Sequence, residues 1–279
     1  MQYLILAILS SAMISLLMRL STDKVKNNVG MLAVNYLTCL IVAGAYTGVD
    51  KLFPADPALP NAVWLGGLQG ALYLTNFVLL QMNVQRSGVV LSAIFMKLGL
   101  LVSLAVSILA FGETPTGLQI VGFIIAVGAI VLINLDGGKS KKGYGVWLVV
   151  MLITGGLCDT MSKVYEQLGS PALAPQFLLY TFALALALCV VLMIIKKQRI
   201  GKKELLFGVL IGVPNYYSAK FLLDALEEIS AVIVYPTFSV GTILVITLAG
   251  VAFFKERLSK RQWIAVAAIL AALVMLNIP

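Results

Sequence analysis

Histidine is absent from this sequence, and cysteine occurs three times. Without histidine, the chain cannot form a histidine proton relay or a histidine-ligated metal site. The cysteines, Cys39, Cys158 and Cys189, lie in apolar stretches with no pairing pattern, so we expect small core residues and no disulfides. The sequence also lacks a metal-ligand cluster and a nucleophile with its base. It therefore predicts neither an enzyme nor a bound metal or cofactor.

Charged residues are scarce too, at 11% of the chain, against about 25% in soluble domains. Hydrophobic residues make up 61%, and the mean hydropathy is +1.01. No single soluble core buries this much apolar surface, so the predicted solvent is lipid. A spanning helix needs about 20 mostly apolar residues. Ten such runs occur between short polar breaks, at roughly 2–20, 28–48, 60–83, 87–111, 117–135, 144–163, 172–195, 204–226, 230–254 and 260–278.

The net charge of +8 comes mainly from basic residues in the connections between these runs. Membrane loops typically carry such residues, so no nucleic-acid partner is predicted. Of the 20 Lys and Arg residues, 16 fall in or beside the odd-numbered loops, whereas Lys97 and Lys220 lie inside spans. The positive-inside rule then places the odd loops in the cytoplasm and both termini outside. Short loops favour a bacterial cytoplasmic membrane, in which we expect a monomer or a homodimer.

An internal repeat divides the chain into two halves. Residues 87–135 align with residues 230–278 without a gap, and 11 of the 49 pairs are identical, among them Phe95, Glu113 and Asn134. Each half holds five spans, and because five is odd, the second half enters the membrane from the opposite side. We therefore predict an all-α integral membrane protein whose ten transmembrane helices form two inverted five-helix repeats, 1–137 and 138–279.

The polar residues inside the spans are the candidate substrate site, because polar groups at membrane depth face a cavity or a partner. On the third span, Tyr73 and Asn76 continue a polar stripe from Gln69 at helical spacing. On the eighth span, Pro214 removes a backbone hydrogen bond just before a polar run, as occurs where a helix lines a cavity. The predicted site comprises Tyr73, Asn76, Lys97, Asp159, Asn215, Tyr216, Lys220 and Tyr235.

The charged members of this set have alternative interpretations. Lys97 lies too deep in its span for its side chain to reach the interface easily. A carboxylate inside a span costs about 2.5–3.5 kcal/mol on insertion scales, so Asp159 either faces a cavity or pairs with a buried lysine. Lys220 either binds an anionic group of a substrate or pairs with Asp224, one helical turn further on. The sequence leaves these alternatives open.

Two stretches of the repeat resemble a known family. They are Ser-Gly-Val to Phe-Gly-Glu at 87–113 with 117–135, and Ser-Ala-Val, Tyr-Pro and Lys-Glu at 230–256 with 260–278. The chain resembles a ten-span member of the drug/metabolite transporter superfamily, of the EamA type. The resemblance implies a central cavity lined by the first, third, fourth, sixth, eighth and ninth spans, and alternating access. The small multidrug exporters of that superfamily carry a buried glutamate where this chain has Ser11, so their glutamate-centred proton exchange is not expected here.

The predicted function is secondary transport of a small polar metabolite, such as an amino acid or another solute that bears a carboxylate or phosphate. Lys97 and Lys220 would bind the anionic group, and Asp159 would bind an amino group. An organic-cation or drug transporter with a tyrosine-rich site around Asp159 is the alternative. A lipid-carrier flippase or a membrane subunit that holds a partner is a third possibility, which the polar stripe on the third span disfavours. The predicted partners are therefore a small-molecule substrate and the lipid bilayer.

Overall fold

The computed structural model describes residues 1–21, 24–48, 51–87, 92, 95–96, 98–134, 145–254 and 260–278. This described part is helical and contains no strand. Its α-helices are α1 (Gln2–Ser21), α2 (Asn28–Thr47), α3 (Leu59–Ser87), α4 (Leu100–Phe111), α5 (Gly117–Asn134), α6 (Gly145–Leu168), α7 (Ala174–Ile195), α8 (Lys202–Glu228), α9 (Ala231–Phe254) and α10 (Lys260–Asn277). A short 3-10 helix, Pro171–Leu173, leads into α7.

Seven helices of the described part are long and apolar enough to cross a membrane, namely α1, α2, α3, α6, α7, α8 and α9. The apolar helices α4, α5 and α10 have shorter described stretches. Their outward faces are apolar as well, since Leu109, Ile124 and Val274 are largely exposed. Exposed aliphatic side chains on every outer helix are typical of a protein surrounded by lipid. The predicted linker between the halves, 136–144, lies outside the described residues.

Local sequence signals explain several helix boundaries. The Asn27 side chain accepts a hydrogen bond from the Gly30 N–H at 2.9 Å and caps the start of α2. Thr116 and Gln119 form a reciprocal capping box at the start of α5, with hydrogen bonds of 2.9 and 3.3 Å. Gly112 ends α4 with a positive φ of 68°, a conformation that costs other residues free energy. Capping residues therefore mark the ends of these apolar helices.

The helices pack as pairs across the two halves of the chain. Contacts join α1 with α8 and α9, α2 with α7 and α8, α3 with α6 and α7, α4 with α6 and α9, and α5 with α10. Glycines permit close approaches of the helix backbones, as two examples show. A Cβ on Gly66 of α3 would lie 2.7 Å from the Phe177 carbonyl oxygen on α7, and one on Gly208 of α8 would lie 2.8 Å from the Met31 carbonyl oxygen on α2. Small residues thus let these backbones approach closely.

The bundle has two ends, which we name after the loops they hold. The odd-loop end holds residues 24–27 and 196–201, which meet where the Asn27 amide donates to the Arg199 carbonyl at 3.0 Å. The even-loop end holds residues 112–116, 169–173 and 229–230. The first segment meets the start of α9 where Glu113 accepts the Val232 N–H at 2.9 Å. In the second segment, the Ser170 carbonyl accepts a hydrogen bond of 2.7 Å from the Tyr165 hydroxyl of α6.

Candidate functional site

A cavity of about 340 Å³ lies among α1, α2, α3, α6, α8 and α9, at the middle turns of α3, α6 and α8. On α1 its lining runs from Ser11 to Met18, and on α2 from Met31 to Tyr36, so it extends toward the odd-loop end. Its volume suits a small metabolite. The polar residues of its lining are Ser11, Ser15, Asn35, Tyr36, Tyr73, Asn76, Asp159, Asn215, Ser218 and Ser239.

Side-chain amides form one wall of the cavity. The Asn215 amide on α8 donates to the Asn35 Oδ1 on α2 at 3.2 Å, which fixes both groups across the helix contact. Asn76 on α3 differs, because its buried Oδ1 makes no hydrogen bond within the described part of the chain. That oxygen lies 3.4 Å from the point that a Cβ on Gly155 would occupy. A glycine at 155 therefore leaves room for the Asn76 amide, whose oxygen can accept a hydrogen bond from a ligand.

Tyrosine rings form a wall next to these amides, since Tyr36 follows Asn35 on α2 and Tyr73 lies one turn before Asn76 on α3. The rings of Tyr36 and Tyr73 are nearly parallel, with an interplanar angle of 7° and centroids 6.4 Å apart. Phe182 of α7 supports both rings at 6.3 and 6.2 Å. The Tyr73 hydroxyl accepts a hydrogen bond from the Gln69 amide at 3.1 Å, so its own hydrogen remains available to a ligand. The wall thus combines aromatic faces with a hydroxyl donor.

Asp159 lies on α6 one helical turn after Gly155, and both residues line the cavity. Its backbone carbonyl accepts a hydrogen bond from the Tyr235 hydroxyl at 3.0 Å. Tyr235 itself is 2% exposed and does not belong to the lining. It therefore holds the backbone behind Asp159 and offers no surface to a ligand in this structure. The carboxylate adds a negative group to a lining whose other polar groups are mainly amides and hydroxyls.

The remaining predicted residues lie elsewhere. Tyr216 is 1% exposed and packs between the rings of Tyr46 and Phe182, at 5.7 and 6.1 Å. Lys220 forms an ion pair with Asp224 at 2.7 Å, which is the local pair that the sequence left open. The structure thus brings Tyr73, Asn76, Asp159 and Asn215 to one cavity and leaves Tyr216, Lys220 and Tyr235 outside its lining. Lys97 lies outside the described residues.

Two lining residues on α2 were missed by the sequence reasoning, which expected no contribution from the second span. Asn35 and Tyr36 both face the cavity near the start of that helix. A signal existed, because Asn35 is an amide inside an apolar span, and such groups normally have a partner or a ligand. Its partner, Asn215, is 180 residues away in sequence, so the sequence alone could not pair the two.

The described residues contain no group of three or more Cys, Asp or Glu side chains that would hold a metal ion. The lining groups are suited to binding and orienting a solute through hydrogen bonds and ring contact.

Comparison with known proteins identifies the type of molecule. The model of a family described as the EamA-like transporter family matches the chain twice, over residues 1–135 and 141–278. An uncharacterized protein of Haemophilus influenzae is 24% identical over 287 residues, which covers 99% of this chain and 97% of that protein. A crystal structure of another protein superposes with a TM-score of 0.76 at 17% identity, over 99% of this chain and 95% of that one. At that identity the superposition shows a shared fold alone.

Proposed function

We propose that this chain carries a small polar metabolite across a membrane by alternating access. The proposal starts from its family, because the chain belongs to the EamA-like transporter family of the drug/metabolite transporter superfamily. The chain is a multi-pass membrane protein of the transporter type. The observation that carries the finer proposal is the cavity of about 340 Å³, which lies at mid-helix and takes its polar groups from both halves of the chain. Secondary transporters bind their solutes at such a position.

The proposed architecture is two inverted five-helix repeats, 1–137 and 138–279. One support is the family model, which matches each half separately. A second support is the packing, because the most extensive contacts between the halves are preserved when each helix is exchanged for the one five places along. The contacts α1–α8, α1–α9 and α2–α8 become α6–α3, α6–α4 and α7–α3, and all of these occur. The contacts α2–α7, α4–α9 and α5–α10 map onto themselves. Rocking of one half against the other would expose the cavity alternately to each side.

We propose an amino acid, or another solute that bears a carboxylate or phosphate, as the substrate class. Asp159 would bind an amino group, and the Asn76 amide beside it would accept a second hydrogen bond from the same end of the solute. The Tyr73 hydroxyl would donate to an acceptor of the solute, and Lys97 would bind its anionic group. The volume of the cavity supports a solute of this size.

A second candidate is an organic cation or a drug. The wall formed by the rings of Tyr36 and Tyr73 supports this alternative, because aromatic faces bind cations. The ion pair of Lys220 with Asp224 supports it as well, since it removes one lysine from the groups available to an anion. The two candidates differ in whether a second lysine, Lys97, contributes to binding.

The proposed location is a bacterial cytoplasmic membrane, with the odd-loop end in the cytoplasm and both termini outside. The basic residues Lys24, Lys26, Arg199 and Lys202, all at the odd-loop end, support this orientation. In that orientation, the cavity extends toward the cytoplasm.

A ligand-stabilisation screen on purified protein tests the function. The panel holds amino acids, mono- and dicarboxylates, sugar phosphates, nucleosides and quaternary amines, and it is run on the wild type, Lys97→Ala and Asp159→Asn. A matched control is Lys51→Ala, because Lys51 is exposed in the connection before α3. A compound that binds the folded state raises its apparent stability, by about 2.7 kcal/mol at 100 times Kd.

The metabolite proposal predicts stabilisation by anionic or zwitterionic compounds, its loss in Lys97→Ala, and its retention in Lys51→Ala. Stabilisation by quaternary amines that is unaffected by Lys97→Ala would favour the organic-cation alternative. Uptake of the stabilising compound into proteoliposomes then tests transport itself. Binding without uptake by any preparation would refute the transport proposal.

A further inference from the structure

A buried lysine, Lys163, lies near the C-terminal end of α6, close to the even-loop end of the bundle. The Lys163 ammonium is 3.0 Å from Glu113 Oε1 and 2.6 Å from Glu166 Oε2. The side chains of Lys163 and Glu113 are 5% and 14% exposed, so both charges are largely withdrawn from solvent. A buried charge is stable only when it is paired and hydrogen-bonded. The cluster is therefore held together by strong mutual attraction.

Glu113 has a second set of partners. Its carboxylate accepts the N–H groups of Ala231 and Val232, at 3.1 and 2.9 Å, in the first turn of α9. A carboxylate at this position satisfies donors that have no partner within the helix and interacts favourably with the helix dipole. One side chain thus ties three segments together: the connection between α4 and α5, the end of α6, and the start of α9. Glu113 belongs to the first half of the chain, and its partners belong to the second.

This cluster separates the cavity from the even-loop end. Asp159 lines the cavity one turn before Lys163 on α6, and the Tyr235 hydroxyl binds the carbonyl of Asp159. Beside them, α1, α8 and α9 pack through an apolar cluster that includes Leu4, Leu226 and Val234, all fully or almost fully buried. The cavity continues toward the odd-loop end instead. The cavity therefore extends toward the odd-loop end, whereas packed side chains lie between it and the even-loop end.

We propose that Glu113 and Lys163 are gating residues of transport, whose ion pair closes the even-loop end of the cavity and breaks whenever that end opens. This role rests on the alternating access proposed above, in which the solute must pass between the halves that Glu113 joins. A polar gate suits the purpose physically. When the end opens, water hydrates the separated charges and offsets the lost attraction, because an ion pair in water is worth little. A wholly apolar gate would expose its surface to water without such compensation.

The test measures access to the cavity from each side and needs no substrate. Ser11, which lines the cavity, is replaced by cysteine in a chain whose Cys39, Cys158 and Cys189 are changed to alanine. A membrane-impermeant quaternary-ammonium methanethiosulfonate then labels this cysteine in right-side-out and in inside-out vesicles. The labelling rates from the two sides report how often each end is open.

The variant tested in this background is Glu113→Gln, which removes the charge but keeps an oxygen to accept the α9 N–H groups. The matched control is Glu228→Gln, since Glu228 is exposed at the same end and lies 3.5 Å from the terminal amine. We expect Glu113→Gln to increase the labelling rate from the even-loop side about tenfold, a factor within the range of typical coupling between two sites. Glu228→Gln should leave that rate unchanged. Lys163→Met should act like Glu113→Gln, and Lys163→Arg should stay close to the wild type.

Three results would overturn the proposal. Suppose that Glu113→Gln and Lys163→Met keep the wild-type labelling rate from the even-loop side, while the cysteine is labelled normally from the odd-loop side. The ion pair would then be purely structural and would not act as a gate. The proposed transport function would then remain intact. If Glu228→Gln speeds labelling as much as Glu113→Gln does, the effect is not specific to the ion pair. If the cysteine is labelled from neither side in any variant, the central cavity is inaccessible, and both this proposal and alternating access fail.

Discussion

Replacing Gly66 by alanine places a methyl group in the contact between α3 and α7. The added Cβ would lie 2.7 Å from the Phe177 carbonyl oxygen and 3.2 Å from the Thr181 nitrogen, both of which are backbone atoms within α7. Because a helix backbone cannot move aside locally, the two helices must separate. Gly208→Ala makes the corresponding change in the other half, 2.8 Å from the Met31 carbonyl oxygen of α2.

The expected loss of stability follows from two opposing terms. Overpacking a close contact costs about 1–3 kcal/mol. Alanine is favoured over glycine in a helix interior by about 0.8–1.0 kcal/mol, which partly offsets that cost. Gly67→Ala isolates the first term, because its Cβ would meet a single side-chain atom of Leu184 at an ordinary 3.6 Å. Gly66→Ala should therefore be less stable than Gly67→Ala by about 1–3 kcal/mol.

The assay is thermal unfolding of the purified protein in detergent, with all three variants measured side by side. A difference of about 1–3 kcal/mol lowers the apparent Tm by roughly 2–12 °C for a chain of this size. Gly66→Ala and Gly208→Ala should fall by similar amounts, since the two contacts correspond in the proposed repeats. Equal stability of Gly66→Ala and Gly67→Ala would refute the close approach of α3 to α7. A loss in one half alone would contradict the proposed equivalence of the halves.

Two further predictions concern single side chains. Asn76→Ala should weaken binding of a stabilising compound about 2- to 12-fold, as expected for one lost hydrogen bond, and should leave the Tm unchanged. Asn61→Ala, at the exposed start of the same helix, is its control in the same titration, and a lower Tm for Asn76→Ala would show a structural role instead. Glu204→Gln should lower the Tm, because the Glu204 carboxylate accepts the N–H groups of Lys26 and Asn27 at 3.0 and 3.2 Å. Glu228→Gln removes only the exposed ion pair with the terminal amine and should leave the Tm unchanged. Equal Tm values for Glu204→Gln and Glu228→Gln would contradict this reasoning.

Much of the fold was predictable because the decisive signals are local. A run of about 20 apolar residues specifies a spanning helix whatever its neighbours are. The predicted ends of the first two spans differ from the helix ends by one residue each, at Ser21 and Thr47. The close contacts of Gly66 and Gly208 also have a local signal, because Gly70 and Gly212 follow them by four residues, a spacing typical of close helix crossings. For α4, the described residues start at Leu100 within the predicted span, so its full length stays a prediction.

The site was predicted less completely. Tyr73, Asn76, Asp159 and Asn215 line the cavity, and all of them are polar residues on otherwise apolar helices. Tyr216 has the same character but packs against other rings, because α8 turns that side of the helix toward α2 and α7. In a helix that is apolar on nearly all sides, hydrophobic periodicity does not tell which face points inward. That choice depends on the neighbouring helices.

The sequence by itself determined the solvent, the class of fold and the internal repeat, because composition, apolar run length and self-similarity are properties of the chain alone. The tertiary structure decided which charges are paired. Lys220 pairs with Asp224 on its own helix, whereas Lys163 also reaches Glu113 in the other half of the chain. It likewise decided that Asn35 joins Asn215 and that Asn76 lies over Gly155. The physical reason is that inside a membrane every polar group needs a partner, and packing alone determines which groups come within reach.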